Sequence, residues 1–203
     1  FRNGSVRNGI DVLAQRNFDL LRASDGKKRK IGLVTNHTGL DLQGRRTIDL
    51  LANAPGIELA AIFSPEHGVT GKLDTGFVGD TVDAATRVKV YSVYGETDAK
   101  RRPPLEVLKG LDAVVFDIQD AGVRFYTYET TLGYFLEAAA QPGIELIVLD
   151  RPNPITGAFV QGPMLDPGKE SFVAYHRLPV RHGMTIGELA KLFNAERNIQ
   201  ARL

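Results

Sequence analysis

The sequence predicts an α/β domain of three layers, Rossmann-like, with a mainly parallel sheet flanked by helices. Three observations predict it. Short apolar runs alternate along the chain with segments of helical period. The runs are apolar at successive positions, as in strands covered on both faces. Polar clusters stand after the runs at one end while plain turns precede them, as in a parallel sheet with its carboxyl ends on one rim.

Residues 30–35 read as the first element, a buried strand, Lys-Ile-Gly-Leu-Val-Thr. Residues 45–54 carry Ile48, Leu50 and Leu51 in a helical pattern. Residues 57–63 form the second strand, stopped by Ser64-Pro65. Residues 88–93 are a shorter, more polar third strand, and residues 103–109 a short helix with proline in its first turn. The fourth strand is 113–116, with Asp117 at its end. Residues 127–140 are helical, with Gly143 beyond, and 145–149 form the fifth strand. From residue 151 prolines and glycines loosen the pattern and no element is predicted. Thr185-Ile186-Gly187-Glu188 is a capping box that opens a helix to about Asn198. No segment repeats and none is of low complexity, so residues 1–203 read as one domain.

Composition narrows the function. A formal net charge of +1 gives no field to steer nucleic acid or an anionic membrane. No apolar run approaches the roughly 20 residues of a membrane span. The absence of cysteine removes thiolate catalysis and zinc–thiolate sites. Asn36-His37-Thr38-Gly39-Leu40, after the first strand, lacks the glycine spacing of a dinucleotide site. There is no P-loop, no G-x-S-x-G and no H-E-x-x-H. No cofactor and no metal is expected.

The residues just beyond each strand carry the chemistry. Asn36 and His37 come after the first, and Glu66 and His67 after the second. Asp117, Asp120, Arg124, Tyr126 and Tyr128 come after the fourth; Asp150, Arg151 and Asn153 after the fifth. His182 precedes the capped helix and is placed near the same rim. A carboxylic acid at a strand mouth is positioned for general acid–base work, which nominates Glu66. Arg124 is a two-pronged anion binder by type. Plainer roles stand beside these. Asn36 suits an Asx turn closed by Gly39. Arg124 suits an ion pair with Asp117 or Asp120, and Asp150 one with Arg151. Of Tyr126 and Tyr128, at alternating positions, at most one faces a cleft. The fourth strand is expected beside the second, bringing the Asp117–Asp120 loop to Glu66. Carboxylates among hydrogen-bonding groups suit a polar substrate such as a sugar.

Six blocks, in order along nearly the whole chain, carry a resemblance. They are Asn8-Gly9-Ile10-Asp11, Gly32 to Gly39, Ser64-Pro65-Glu66-His67-Gly68, Asp117-Ile118-Gln119-Asp120 with Arg124-Phe125-Tyr126-Thr127-Tyr128, Asp150-Arg151-Pro152-Asn153-Pro154, and His182-Gly183-Met184-Thr185. In these the chain resembles the bacterial NamZ/YbbC-like family. The resemblance implies an exo-β-N-acetylmuramidase, releasing N-acetylmuramic acid from the non-reducing end of peptidoglycan fragments. It implies export (periplasmic, extracellular or lipid-anchored) and a smaller C-terminal auxiliary domain closing over the cleft. It makes Glu66 the catalytic acid. The second role stays open between Asp120, Asp117 and the substrate's own 2-acetamido group. His67 joins the catalytic set. Arg124 or Arg151 would pair with the lactyl carboxylate. Asn36, His37, Asp117, Tyr126, Asp150, Asn153 and His182 would bind the sugar. An apolar docking patch is expected around Phe159, Phe172 and Tyr175. The chain departs from the family at Gln161, where Glu is expected before Gly-Pro, and at Glu129. Two rivals remain: a non-catalytic peptidoglycan-binding domain, and a metal-dependent hydrolase using the same Asp, Glu and His rim.

Overall fold

The computed structural model describes residues 6–74 and 78–203. Five strands run parallel: β1 (Arg29–Thr35), β2 (Ile57–Ser64), β4 (Lys89–Ser92), β5 (Ala113–Asp117) and β6 (Glu145–Val148). A two-residue strand, β3 (Thr81–Val82), pairs antiparallel with β4. The sheet order is β3-β4-β2-β1-β5-β6. Alternate residues along each strand feed opposite faces. Ile31 and Leu33 of β1, with Ala113 and Val115 of β5, lie under α1 (Gly9–Gln15) and α2 (Thr47–Ala52). Val34, Phe63, Val114 and Phe116 lie under α4 (Leu105–Leu108), α5 (Thr127–Ala140) and α6 (Ile186–Glu196). The two clusters on either side of the sheet give the three predicted layers. A short helix, α3 (Asp98–Arg101), precedes α4.

The order corrects one expectation. β5 does not neighbour β2; β1 lies between them. The crossovers first step outward from β1 to β2 and β4, and the next one returns to the far side of β1. The strand order therefore reverses between β1 and β5, where Thr35 stands opposite Asp117. In open α/β sheets a ligand crevice forms outside the carboxyl ends at such a point.

The capping box of α6 is present: Glu188 N–H donates to Thr185 Oγ1 at 3.2 Å and Thr185 N–H to Glu188 Oε2 at 2.9 Å. Besides β3 and α3, three features lie outside the predicted elements. α1 buries Ile10 and Leu13, and Asp11 caps it by accepting the Asn8 N–H at 3.0 Å. In the proline- and glycine-rich stretch, β7 (Gln161–Met164) and β8 (Pro179–Arg181) form an antiparallel pair. That pair is tied to the loop after β5 by Arg124 N–H donating to the Val180 carbonyl at 2.9 Å. All four residues of β7 are exposed, so no apolar pattern marks it. Third, a single 3-10 turn, Asp19–Leu21, precedes β1.

The apolar patch differs from expectation. Tyr175 is buried, and Gly133 makes the room: a Cβ at Gly133 would lie 2.2 Å from Tyr175 Cζ. Phe172 is half-buried against Tyr94 and Tyr134. Phe159 is exposed, joined by Val160 and Met164 at the same strand pair.

Candidate active site

β2 ends at Ser64, and the chain turns at once. Gly68 N–H donates to the Pro65 carbonyl at 3.0 Å, and His67 and Gly68 both adopt left-handed backbone angles (φ 67° and 73°). A non-glycine residue held there signals a constraint from its surroundings. The constraint is visible: His67 Nδ1–H donates to the Leu73 carbonyl at 3.0 Å, and Leu73 N–H returns to the His67 carbonyl at 3.2 Å. His67 therefore pins its own loop.

This turn presents Glu66, half-buried, to the start of α5. Thr127 Oγ1, on the first helical residue, donates to Glu66 Oε2 at 2.6 Å. The Tyr128 hydroxyl donates to the Glu66 main-chain carbonyl at 3.4 Å. The Tyr94 hydroxyl lies beside the Glu66 carboxylate, whose hydrogen bond and charge push the phenol up from its ordinary pKa. Tyr126 and Tyr128 meet edge to face with ring centres 4.7 Å apart. Tyr128 is buried and Tyr126 half-exposed, so one packs and one faces out. Burial raises the Tyr126 phenol, and the charges of Asp120 and Glu66 both add to that rise. Tyr126 thus stands within electrostatic reach of both carboxylates.

Asn36 does form the Asx turn: Thr38 N–H and Thr38 Oγ1 donate to Asn36 Oδ1 at 2.9 and 2.6 Å. Its Nδ2 is buried with no hydrogen-bond partner. His37 is exposed and lies against Gly71.

Four predicted binding residues are locked into the fold instead. Asp117 is fully buried and takes Arg151 Nε–H at 2.7 Å and the Thr47 hydroxyl from α2. Arg151 Nη2 donates to the Leu40 carbonyl at 2.9 Å. Asp150 holds the start of α6, accepting from Gly187 N–H and Thr185 Oγ1 at 2.8 Å each. Asp150 and Arg151 touch only through the Arg151 main-chain N–H, so the expected ion pair between them is replaced by Asp117–Arg151. Asn153 accepts from Ile155 N–H at 3.0 Å and donates to the Met184 carbonyl at 2.9 Å. Arg124 directs Nη1–H at the carbonyls of Pro163 and Leu178 rather than at Asp117 or Asp120. Gln161 Oε1 accepts from Arg181 Nη1–H at 2.8 Å, so the departure at this position keeps a hydrogen bond without a second charge.

Asp120 and His182 come together with Glu129. Asp120 Oδ2 accepts Gly122 N–H at 2.6 Å, and His182 Nε2 lies 3.6 Å from that oxygen and 4.0 Å from Glu129 Oε2. His182 Nδ1 accepts the Met184 N–H at 3.1 Å. A ring nitrogen that accepts carries no proton, so Nε2 holds it. Nε2 is then a donor and not a metal ligand. Among the described residues no cluster of three His, Cys, Asp or Glu is arranged to hold a metal ion.

Two residues of the site escape the sequence reading. Tyr94 lies just beyond β4, the one parallel strand whose carboxyl end carries none of the four polar clusters, and the same rim rule finds it. Thr127 reads in sequence only as a helix start.

Three comparisons accord with this geometry. A family model described as "Exo-beta-N-acetylmuramidase NamZ, N-terminal" matches residues 31–203. Over 199 residues the chain is 47% identical to the peptidoglycan beta-N-acetylmuramidase NamZ of Bacillus subtilis (strain 168), covering 98% of this chain and 46% of that protein. A DUF1343 family protein from Bacteroides fragilis NCTC 9343 superposes with a TM-score of 0.85 at 41% identity, covering 97% of this chain and 47% of the other. A second such protein from that organism gives 0.75 at 35% identity, covering 94% and 47%. The chain spans about half the length of the relatives it matches.

Proposed function

Because this chain belongs to the NamZ exo-β-N-acetylmuramidase family, represented by its N-terminal part, we propose that it is the Rossmann-like half of an exported glycosidase. The reaction is release of β-linked N-acetylmuramic acid from the non-reducing end of peptidoglycan fragments, with Glu66 as general acid. The observation that supports Glu66 is the kind of partner it has. Asp117 is held by a guanidinium beside the Thr47 hydroxyl, Asp120 by a main-chain N–H, and Asp150 by a main-chain N–H beside Thr185 Oγ1. A guanidinium counter-charge favours the anion. The side-chain hydrogen-bond partner of Glu66 among the described residues is the Thr127 hydroxyl, with the Tyr94 phenol beside it. A hydroxyl donates to a carboxylate and, turned round, accepts from a carboxylic acid. That environment accommodates both states through which a general acid cycles.

The second role falls between Asp120 and the substrate's 2-acetamido group, since Asp117 is occupied. Arg151 is likewise occupied, which leaves Arg124 as the group for the lactyl carboxylate. The C-terminal half of the protein would complete the cleft.

The test is turnover of a chromogenic N-acetylmuramide, with and without chelator, by residues 1–203 and by a chain of its relatives' length. Turnover indifferent to chelator is expected from the longer chain, with little from the glucosaminide that lacks the lactyl group. Loss with chelator would establish the metal-dependent hydrolase instead. Tight binding without turnover would establish the binding domain.

A further inference from the structure

Three ionisable side chains from three separate segments meet in the interior. Asp120 comes from the loop after β5, Glu129 from the first turn of α5, and His182 from just beyond β8. Their exposures are 5%, 0% and 2%. Asp120 Oδ1, both oxygens of Glu129 and His182 Nε2 have no hydrogen-bond partner. Buried polar atoms without partners are costly, and several converging on one point call for a shared role.

The proton count can be worked out. His182 Nε2 carries a proton, because Nδ1 accepts from Met184. Burial, reinforced by the charge of Asp120 and only partly offset by Arg124, pushes the Glu129 carboxyl up to about 10. Glu129 is therefore a neutral acid near pH 7, with a proton to donate. Gly122 N–H is the donor already bonded to Asp120 Oδ2, and His182 Nε2–H faces the same oxygen from 3.6 Å. The Tyr126 phenol senses the charges of both Asp120 and Glu66.

We propose that Glu129 is a positioning residue: standing 4.0 Å from His182 Nε2, it orients the imidazole whose Nε2–H faces Asp120 from 3.6 Å, so that the three buried side chains act as one unit supporting the rim. The role in turnover rests on the glycosidase reading above; the arrangement of the unit does not.

Two substitutions separate positioning from bulk. Glu129→Gln keeps size and a donor, whereas Glu129→Leu keeps size and removes the donor. With both variants folded by melting curves, Glu129→Leu is expected to lower kcat about tenfold or more with KM nearly unchanged, and Glu129→Gln to retain kcat within about threefold. Nitrogen shifts of the His182 imidazole supply a readout that needs no substrate. They are expected to place the proton on Nε2, with the Nε2–H signal displaced in Glu129→Leu and nearly unmoved in Glu129→Gln. A proton on Nδ1, equal losses in the two variants, or no loss in either would overturn the proposal. Absence of wild-type turnover with the imidazole signals as expected would instead overturn the glycosidase reading and leave the unit standing.

Discussion

Glu66→Gln is expected to lower turnover of a natural muramic disaccharide by about 10²–10⁴-fold, the range for loss of a general acid. The substitution is well suited to the site. The Gln carbonyl oxygen still accepts from Thr127 Oγ1, which now donates to Glu66 Oε2 at 2.6 Å. The turn at His67 and Gly68 rests on main-chain bonds and on the His67 ring, not on the carboxylate. Folding and sugar binding should therefore survive while the proton is lost. An aryl muramide with a good leaving group needs less protonation and should lose less. That difference between substrates is the signature of an acid, and a merely structural Glu66 would penalise both alike. Near-wild-type kcat on the disaccharide would end the assignment.

Arg151→Met is expected to destabilise the fold by about 3–5 kcal/mol, because it leaves the Asp117 carboxylate buried without its counter-charge. For a domain of this size that is a fall in melting temperature of roughly 10 °C. Side-chain exposures of 5% and 0% leave no room for water to replace the guanidinium. Removing both partners, as Asp117→Leu with Arg151→Met, should cost less than the single change, since no orphaned charge remains. Melting curves of the two variants decide it. A single change costing under about 1 kcal/mol would show that the pair is solvated in solution and free to meet a substrate, as its position in the sequence first suggests.

The misreading of Asp117 and Arg151 shows where sequence stops being legible. Polar residues at strand ends look alike in one dimension, whether they face a cleft or a lock. What distinguishes Asp117 from Glu66 is Thr47 of α2 and Leu40, distant in sequence and brought over the end of β5 by the fold. Strands β1, β2, β5 and β6 are legible because both faces are apolar, and α6 because its cap is local. The β7–β8 pair is not, since its residues are exposed or half-exposed and its prolines hide a strand pattern. Adjacency is also hidden: nothing in residues 113–117 says that β1, rather than β2, will lie beside them. Glu66 is found by its place after a strand, and Tyr94 would have been found the same way.

The neutral Glu129 also has a consequence for how the fold answers to pH. In an unfolded chain a glutamate has given up its proton above about 4.5, whereas here it is kept to about 10. Folding therefore takes up a proton throughout that interval. The stability tied to this group is whole below about 4.5 and is lost as pH rises toward 10, with a limiting slope of about 1.4 kcal/mol per pH unit. Asp83 acts in the other direction. Burial alone would raise it, but hydrogen bonds from Arg46 and Thr86 hold it at about 2. Its contribution is present above about 3.8 and fails as pH falls toward 2. Both contributions are nearly whole only in mildly acidic medium. Alkali works first on Glu129, in the opening turn of α5, the turn that also carries Thr127, whose hydroxyl holds Glu66. The same carboxyl that steadies the rim is thus its weak point in alkali.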